Sequence, residues 1–420
     1  MQVFKFGGAS VKDADGIRRV ASIVRTRATA PTVIVVSAMG KTTNHLEQLL
    51  IAWYKQSHEL TLLFTEFRAL HVSIAEALLP EGHHLFTRMA EVFEDMWSNL
   101  QKLSRDNYDL AYDQVVSQGE ILSTLILASV LNESGIPTCW MDVRQLLSTD
   151  STYREARINW DATLHAVSEK LKPAVKECHV LVQGFIGRNE HGLTTTLGRE
   201  GSDFTAAILA WCLDAESVTI WKDVPGVLNA DPRYYKEAVK IDRLSYRDAI
   251  EMTYYGAQVI HPRTIQPLQN KKIPLLVKPF EELDAPGTVI RDQQDFSLLP
   301  PVIVVKPGQV LLHISTKDFS FIAEENLGFI YGSMGRHRIR GNMSLNSAIS
   351  FSVCFDHDPV RLERLLEDLA ADYHVTQSDG LRLITIIHYN EGVLEQVKNN
   401  LEVIMEEKAK GTAQVLLKEK

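Results

Sequence analysis

Three short β-branched runs, Val33–Val36, Val180–Val182 and Val218–Trp221, are each bounded by polar or glycine residues and separated by stretches of helical periodicity. That alternation specifies a parallel α/β sheet with helices packed on its faces. Polar residues follow each run: Ser37 after the first, Gln183–Gly184 after the second and Lys222–Asp223 after the third. In open α/β sheets ligands bind beyond the carboxyl ends of the strands, so these positions are expected to share one crevice.

The chain opens MQVFKFGGAS, which puts Lys5, Gly7 and Gly8 in the same relation to an apolar strand. Paired glycines let backbone N–H groups turn toward an anion, and a cation just before the turn can neutralise a phosphoryl oxygen. Neither GxxxxGK[ST] nor a strand-following GxGxxG occurs, which excludes a Walker loop and a dinucleotide fingerprint. Taken alone, K-x-G-G-x-S fits a plain strand-to-helix turn equally well. Four segments converging on one sheet edge weigh more than any one of them.

The 420 residues leave room for two or three domains, and a hydrophobic content of 45% with 23% charged residues is that of a globular chain. No apolar run approaches the roughly 20 residues of a bilayer span, and the N-terminus lacks a basic stretch followed by an apolar segment. A cytoplasmic protein without membrane partners is expected. A net charge of −9 without a long basic cluster argues against nucleic acid as a partner. Cys139, Cys178, Cys212 and Cys354 lie far apart with no CxxC pair, so four buried thiols are expected rather than a zinc site or disulfides.

Residues 44–118 read as a helical excursion covering the substrate side, with an apolar stripe at Leu46, Leu49, Leu50 and Trp53. His83 and His84 read as a solvated pair, since adjacent helical histidines face apart. Pro300 and Pro301 in the LLPP segment at 298–301 mark a linker, giving a first domain over 1–298. Beyond it the order is strand (Val310–Ser315), helix (Phe321–His337), strands (Met343–Leu345 and Ile349–Phe355), helix (Pro359–Asp372) and strand (Leu381–His388), a ferredoxin-like arrangement. A helix at Val393–Lys408 and a strand at Ala413–Lys418 follow, too short for a complete second copy within 302–420.

Chemistry concentrates in two segments. In TTTLGREGSDFTAA, Arg199 stands between Gly198 and Gly201 and offers a fork for a carboxylate or phosphate, while Ser202 and Asp203 begin a helix. Capping by Ser202 or Asp203 accounts for those two residues but not for the arginine. In WKDVPGVLNADPR, turn chemistry accounts for Pro225–Gly226 and Asp231–Pro232 but does not require Arg233, whose charge suits a nucleotide phosphate.

In order along the chain, KFGGAS, VVSAMGKTTN, SQGE, TTTLGREGSDFTAA, WKDVPGVLNADPR and GAQVIHP resemble the monofunctional aspartate kinases of the amino-acid kinase superfamily, and the C-terminal part resembles their ACT domain. The resemblance implies a parallel-rich sheet sandwiched by helices, followed by a ferredoxin-like ACT region with a truncated second repeat. It further implies transfer of the ATP γ-phosphate to the β-carboxylate of L-aspartate, the first step toward lysine, threonine and methionine, with Mg²⁺ accompanying ATP. Carried over by position, Lys5 stabilises the transferring phosphoryl group and, with Asp203, forms the catalytic pair; Phe6, Gly7 and Gly8 form the adjoining loop. Ser37, Thr43, Glu120, Arg199, Gly201 and Ser202 contact aspartate, with Glu120 on its ammonium and Arg199 on its α-carboxylate. Lys222, Asp223, Leu228, Arg233, Gln258 and Val259 fall at ATP-lining positions. Metal ligands stay unassigned, Asp203 being one candidate.

Several positions depart from the family pattern: Ala9 and Lys222 stand where Thr is usual, Leu228 where Tyr is usual and Gln258 where Lys is usual. Lys222 is expected to replace the cation lost at Gln258. Around Asn342 and Asn346–Ala348 the ACT region has no carboxylate to hold an effector ammonium, so dimerisation or higher self-assembly is its expected role. Two other readings stay open: a kinase for glutamate, acetylglutamate or a nucleotide, and an ACT-type amino-acid sensor on an inactive kinase fold. Glu120 with Arg199 favours a free α-amino acid.

Overall fold

The computed structural model describes residues 1–257, 260–292, 299–318, 320–399 and 401–418. They form two compact units. The first comprises Met1–Val227, Lys240–Ile250 and Val259–Asp295, and the second Leu228–Val239, Glu251–Gln258 and Phe296–Lys420. The division differs from a single cut near residue 298, because two short segments of the sequence between 228 and 258 pack with the C-terminal residues. Asn229, for example, donates from Nδ2 to the Pro301 carbonyl at 3.0 Å and accepts from the Ile303 amide through its own carbonyl at 2.7 Å.

The first unit is built on an eight-stranded sheet in the order Thr138–Trp140, His179–Gln183, Val33–Val36, Gln2–Phe6, Ser217–Lys222, Leu275–Pro279, Thr288–Arg291 and Arg243–Ser245. The first six strands are mutually parallel, and only the pairing of Leu275–Pro279 with Thr288–Arg291 is antiparallel. All four residues of Val33–Val36 are fully buried, as strands covered on both faces require. Register places Phe6 beside Val36 on one side and Trp221 on the other, and Val36 beside Gln183. Gly7, Ser37, Gly184 and Lys222 therefore leave the sheet along one edge.

Helices Thr42–Tyr54, Leu60–Glu76, His84–Lys102 and Tyr108–Val116 occupy the stretch that reads as a helical excursion. His83 is not solvated: its Nδ1 caps the third of these helices by accepting from the Leu85 amide at 3.1 Å, its Nε2 lies 3.3 Å from Glu133 Oε1, and its side chain is only 6% exposed. A cap must face the helix axis, which pulls the ring inward. Tyr108–Glu133 is long and apolar enough to cross a membrane, yet 78% of its most apolar window is buried within the protein, so it serves as a core element. The cysteine expectation is half right. Cys212 and Cys354 are buried, whereas Cys139 is exposed on an edge strand and Cys178 is half-buried beside it.

In the second unit a six-stranded antiparallel sheet runs Gly341–Asn346, Ser350–Asp356, Val302–Thr316, Tyr373–Ile387, Thr412–Lys418, Val403–Ala409. Its two central strands are 15 residues each, so the strand after helix Pro359–Leu369 starts at Tyr373 rather than at Leu381. The register shifts between Lys306 and Gln309, where Gly308 has φ 64°, and the two strands serve three cores. One core joins Val310, Leu312 and Ile314 to helices Glu324–Arg336 and Pro359–Leu369. A second joins Ile384 and Ile386 to helix Glu391–Lys398 and strand Thr412–Lys418, and a third joins Leu381 and Leu383 to Met343, Cys354, Met405 and Leu416.

The sequence reading extends that last helix to Lys408; it ends at Lys398. Asn399 adopts a left-handed conformation (φ 31°) at its C-terminus, and Val403–Ala409 pairs with Thr412–Lys418 as a strand. The tail therefore contributes one helix and two strands, and residues 302–306 lend it a neighbour through the 381–387 strand. Asn342 also differs from expectation, since a carboxylate does stand beside it. Asp356 Oδ1 accepts from Asn342 Nδ2 at 3.1 Å and from Gln309 Nε2 at 2.7 Å, while Lys306 Nζ donates to Asn342 Oδ1 at 2.8 Å.

Leu365 sits at the centre of the first of these cores with no exposed surface. Leu365→Ala is expected to lower stability by about 2–5 kcal/mol through lost burial plus a residual cavity. Urea titration checks this, since the midpoint should fall without a large change in slope.

Candidate active site

Strand Gln2–Phe6 carries Lys5 to the sheet edge, where the side chain is almost fully buried and its Nζ lies 2.6 Å from Asp203 Oδ1. That carboxylate oxygen makes no aligned hydrogen bond, so the contact is an ion pair held by proximity. Asp203 belongs to the first turn of helix Gly201–Leu213 and is 3% exposed. Neither Ser202 nor Asp203 caps this helix. Glu200 holds the cap position in a left-handed conformation (φ 53°), and its Oε2 instead accepts from the His261 amide at 2.8 Å. The Gly201 amide donates to the Gly198 carbonyl at 3.0 Å and those of Asp203 and Phe204 to the Glu200 carbonyl at 3.0 and 3.2 Å, so the helix start brings its positive dipole end to a buried lysine–aspartate pair.

After Lys5 the chain turns abruptly. Phe6 is fully buried and stacks on Trp221 with ring centroids 6.2 Å apart, so only its backbone faces the turn. Its carbonyl accepts from the Ser37 amide at 3.1 Å, and the Gly8 carbonyl accepts from the Gly40 amide at 2.9 Å. A Cβ on Gly8 would stand 2.8 Å from the Ala38 carbonyl oxygen and 2.9 Å from that of Gly40. The two glycine-containing loops can close on one another only because position 8 lacks a side chain.

Glu120 lies in the first turn of helix Gln118–Glu133 and is 2% exposed. Its Oε1 is 3.4 Å from the Ala38 amide, and its Oε2 has no hydrogen-bond partner. Burial pushes its pKa up to about 8, partly offset by backbone donors. A buried carboxylate with a vacant oxygen beside the 37–40 loop has the chemistry to accept a donor or a cation there. Gly119 allows that approach, because a Cβ there would come within 3.0 Å of Ala38 Cβ and Thr42 Cγ2.

Ser37 and Thr43 are half-buried at this edge, and the Ser37 carbonyl accepts from Ser123 Oγ at 2.7 Å. Thr42, which sequence reasoning passed over, is fully buried and its hydroxyl has no partner. Adjacent threonines give no sequence signal for which one turns inward. Arg199 is exposed, between Gly198 (φ 79°) and the left-handed Glu200. Ser202 is 7% exposed and packs under Gly184, where a Cβ would meet Ser202 Cβ at 2.4 Å. Gly201 abuts Phe185 in the same way, at 2.7 Å.

Of the positions expected to line ATP, Lys222 ends strand Ser217–Lys222 half-buried, and Asp223 is exposed. Leu228 and Arg233 belong to the second unit, where the Arg233 guanidinium grips Asp231 through Nε (3.0 and 2.9 Å) and Nη2 (2.5 Å). Gln258 and Val259 lie outside the described residues. No cluster of three or more His, Cys, Asp or Glu suited to a metal occurs among the described residues. Asp203 Oδ1, the metal candidate from the sequence, faces the Lys5 ammonium at 2.6 Å.

The arrangement combines a buried lysine at a glycine turn, a helix N-terminus and a cation-seeking carboxylate. It suits charge neutralisation and positioning rather than proton abstraction.

Comparison with known proteins gives a consistent picture. The amino acid kinase family matches residues 1–279. Lysine-sensitive aspartokinase 3 of Escherichia coli is 32% identical over 396 residues, covering 92% of this chain and 86% of that protein. The chloroplastic aspartokinase 1 of Arabidopsis thaliana is 30% identical over 403 residues, covering 92% and 68% respectively. Among solved structures, E. coli aspartokinase III in complex with aspartate and ADP superposes with a TM-score of 0.83 at 29% identity, covering 100% of this chain and 96% of that one.

Proposed function

Because the chain belongs to the amino acid kinase family, among the aspartokinases, we infer that it transfers the γ-phosphoryl group of ATP to the β-carboxylate of L-aspartate, giving 4-phospho-L-aspartate. The observation that carries the substrate assignment is the vacant, buried Oε2 of Glu120 beside the 37–40 loop. An acylated amine or a nucleotide offers that oxygen no positive charge; a free α-ammonium does.

The β-carboxylate of aspartate is ionised at neutral pH, so the nucleophile needs no strong base. This chain's residues then have three tasks. Glu120 holds the ammonium and Arg199 the α-carboxylate, with Ser37, Thr43, Gly201 and Ser202 completing the wall, which fixes the β-carboxylate for in-line approach. Lys5 faces the transferring phosphoryl group, and Asp203 holds the lysine in place through their 2.6 Å contact. Backbone amides at Gly7 and Gly8 complete the anion cradle, and Lys222 and Asp223 serve the nucleotide from the neighbouring strand end. A Mg²⁺ accompanying ATP would supply further positive charge to the phosphate oxygens beside that of Lys5.

The product is an acyl phosphate feeding lysine, threonine and methionine formation, and the proposal places the protein in the cytoplasm. It also includes self-assembly through the second unit, where strand Gly341–Asn346 is a sheet edge and Phe321, Leu345 and Ile349 are exposed.

The test is ATP- and Mg²⁺-dependent turnover of L-aspartate, trapped by hydroxylamine as the hydroxamate, with L-glutamate as control. Turnover of aspartate but not glutamate is expected. ATP binding without turnover of aspartate would overturn the assignment.

A further inference from the structure

Asp113 is a carboxylate with no exposed surface, on helix Tyr108–Val116, and it touches none of the groups assigned above to substrate. Its Oδ2 accepts from the Thr196 amide at 2.9 Å and its Oδ1 from the Thr196 hydroxyl at 2.7 Å. Both oxygens also lie 3.1 Å from the Arg154 amide. Every partner is a donor, and two of the three are backbone groups. The neighbouring Gln114 Nε2 repeats the attachment by donating to the Thr194 carbonyl at 2.8 Å.

This clamp joins two segments that each end in a substrate residue. Seven residues after Asp113, across the single junction at Ser117, stands Glu120. Three residues after Thr196, beyond Leu197 and Gly198, stands Arg199. The clamp also fixes the bed beneath the arginine loop: Arg154 is left-handed at φ 69°, and a Cβ on Gly198 would stand 3.1 Å from the Arg154 carbonyl oxygen. The Thr196 carbonyl in turn accepts from the Ala156 amide at 2.9 Å.

We propose that Asp113 is a positioning residue that sets the spacing between Glu120 and Arg199, and so between the sites for the ammonium and the α-carboxylate of the substrate. The inference rests on the amino-acid assignment above. A buried carboxylate is costly unless its oxygens are satisfied, and here the satisfaction comes from backbone amides whose placement the substrate site depends on. Asparagine at this position has the same shape but turns an N–H₂ group toward donors, which opens the clamp without emptying the space.

Asp113→Asn is expected to raise the KM for aspartate by about tenfold or more, because small displacements of a binding group carry large penalties. The KM for ATP should stay within about twofold, as a role confined to one substrate requires. Thr196→Val removes the hydroxyl donor and keeps both amides, so it should give a smaller shift in the same direction. Amide hydrogen exchange gives a second readout that does not depend on turnover: residues 196–201 should lose protection in Asp113→Asn while those of 8–11 keep it. An unchanged aspartate KM, equal shifts for both substrates, or unaltered protection at 196–201 would overturn the proposal. Should Asp113→Asn fail to fold, Thr196→Val decides by the same criteria. If the unsubstituted protein does not turn over aspartate, the substrate reading fails by itself, and the exchange experiment still reports whether the clamp orders the loop.

Discussion

Lys5→Ala is expected to lower kcat for aspartate phosphorylation by about 10²–10³-fold, the size of effect seen when one preorganised charge-stabilising group is lost. Lys5 is the cation that strand Gln2–Phe6 delivers to the glycine turn, and its burial beside Asp203 excludes the water that would otherwise screen it. The same substitution leaves Asp203 buried without its partner. Breaking a buried pair on one side typically costs about 3–5 kcal/mol, so a loss of folded protein must be separated from a loss of chemistry. The double variant Lys5→Ala, Asp203→Asn does so. Removing the stranded charge should recover much of the thermal stability while turnover stays low. Recovery of turnover in the double variant would show that Lys5 acts only by satisfying Asp203. Lys5→Arg keeps the charge but replaces a compact ammonium with a planar fork, and it should recover only part of the rate.

How much of this was legible in the sequence depends on whether a feature is local. The sheet edge was, because β-branched runs followed by polar or glycine residues encode both the strand and its exit, whereas the register of Phe6 beside Val36 and Trp221 is set by tertiary pairing. Lys5 and Asp203, which the structure pairs, were accessible for the same reason: each sits in a glycine-punctuated segment at a strand or helix end. Asp113 was not. It is one acid on a helix of mixed polarity, and what distinguishes it is contact with Thr196, 83 residues later. Glu200 as the cap residue was hidden by the better capping side chains of Ser202 and Asp203 beside it, since Asp203 is instead drawn to Lys5. The end of the last helix at Lys398 was missed because the residues after Asn399 are compatible with helix or strand, and pairing with Thr412–Lys418 decides. Packing of 228–239 and 251–258 with the second unit is likewise a property of tertiary contact alone.

Glu120 should make aspartate binding depend on pH in the neutral range, well above where an ordinary surface carboxylate titrates. Desolvation raises its pKa to about 8, so near pH 7 most of the ligand-free protein carries it protonated. An ammonium bound at Oε2 favours the ionised form, and binding must therefore release a proton. The apparent Kd for aspartate is then expected to fall about tenfold per pH unit from pH 6 toward 8, and to level above that until the substrate ammonium itself titrates. Glu120→Gln cannot ionise, which removes the slope. The variant should bind about a hundredfold more weakly than the parent at pH 8.5, and the difference should narrow sharply toward pH 6, where the parent is protonated too. Folding stability carries the complementary sign. The native state holds this proton more tightly than the unfolded chain, so the stabilising contribution is complete below the unfolded pKa near 4.5 and is lost as pH rises through 8. Glu120→Gln should accordingly flatten the ligand-free Tm between pH 5 and 8.5. Asp113, pushed up to about 7 chiefly by burial, titrates in the same range and contributes to the parent protein's profile. It remains in Glu120→Gln, so only the part of the slope that this variant abolishes belongs to Glu120. Calorimetric titration in buffers of differing ionisation enthalpy counts the released protons directly. A Kd that is flat with pH in the parent, or a slope undiminished in Glu120→Gln, would mean that Glu120 does not hold the ammonium.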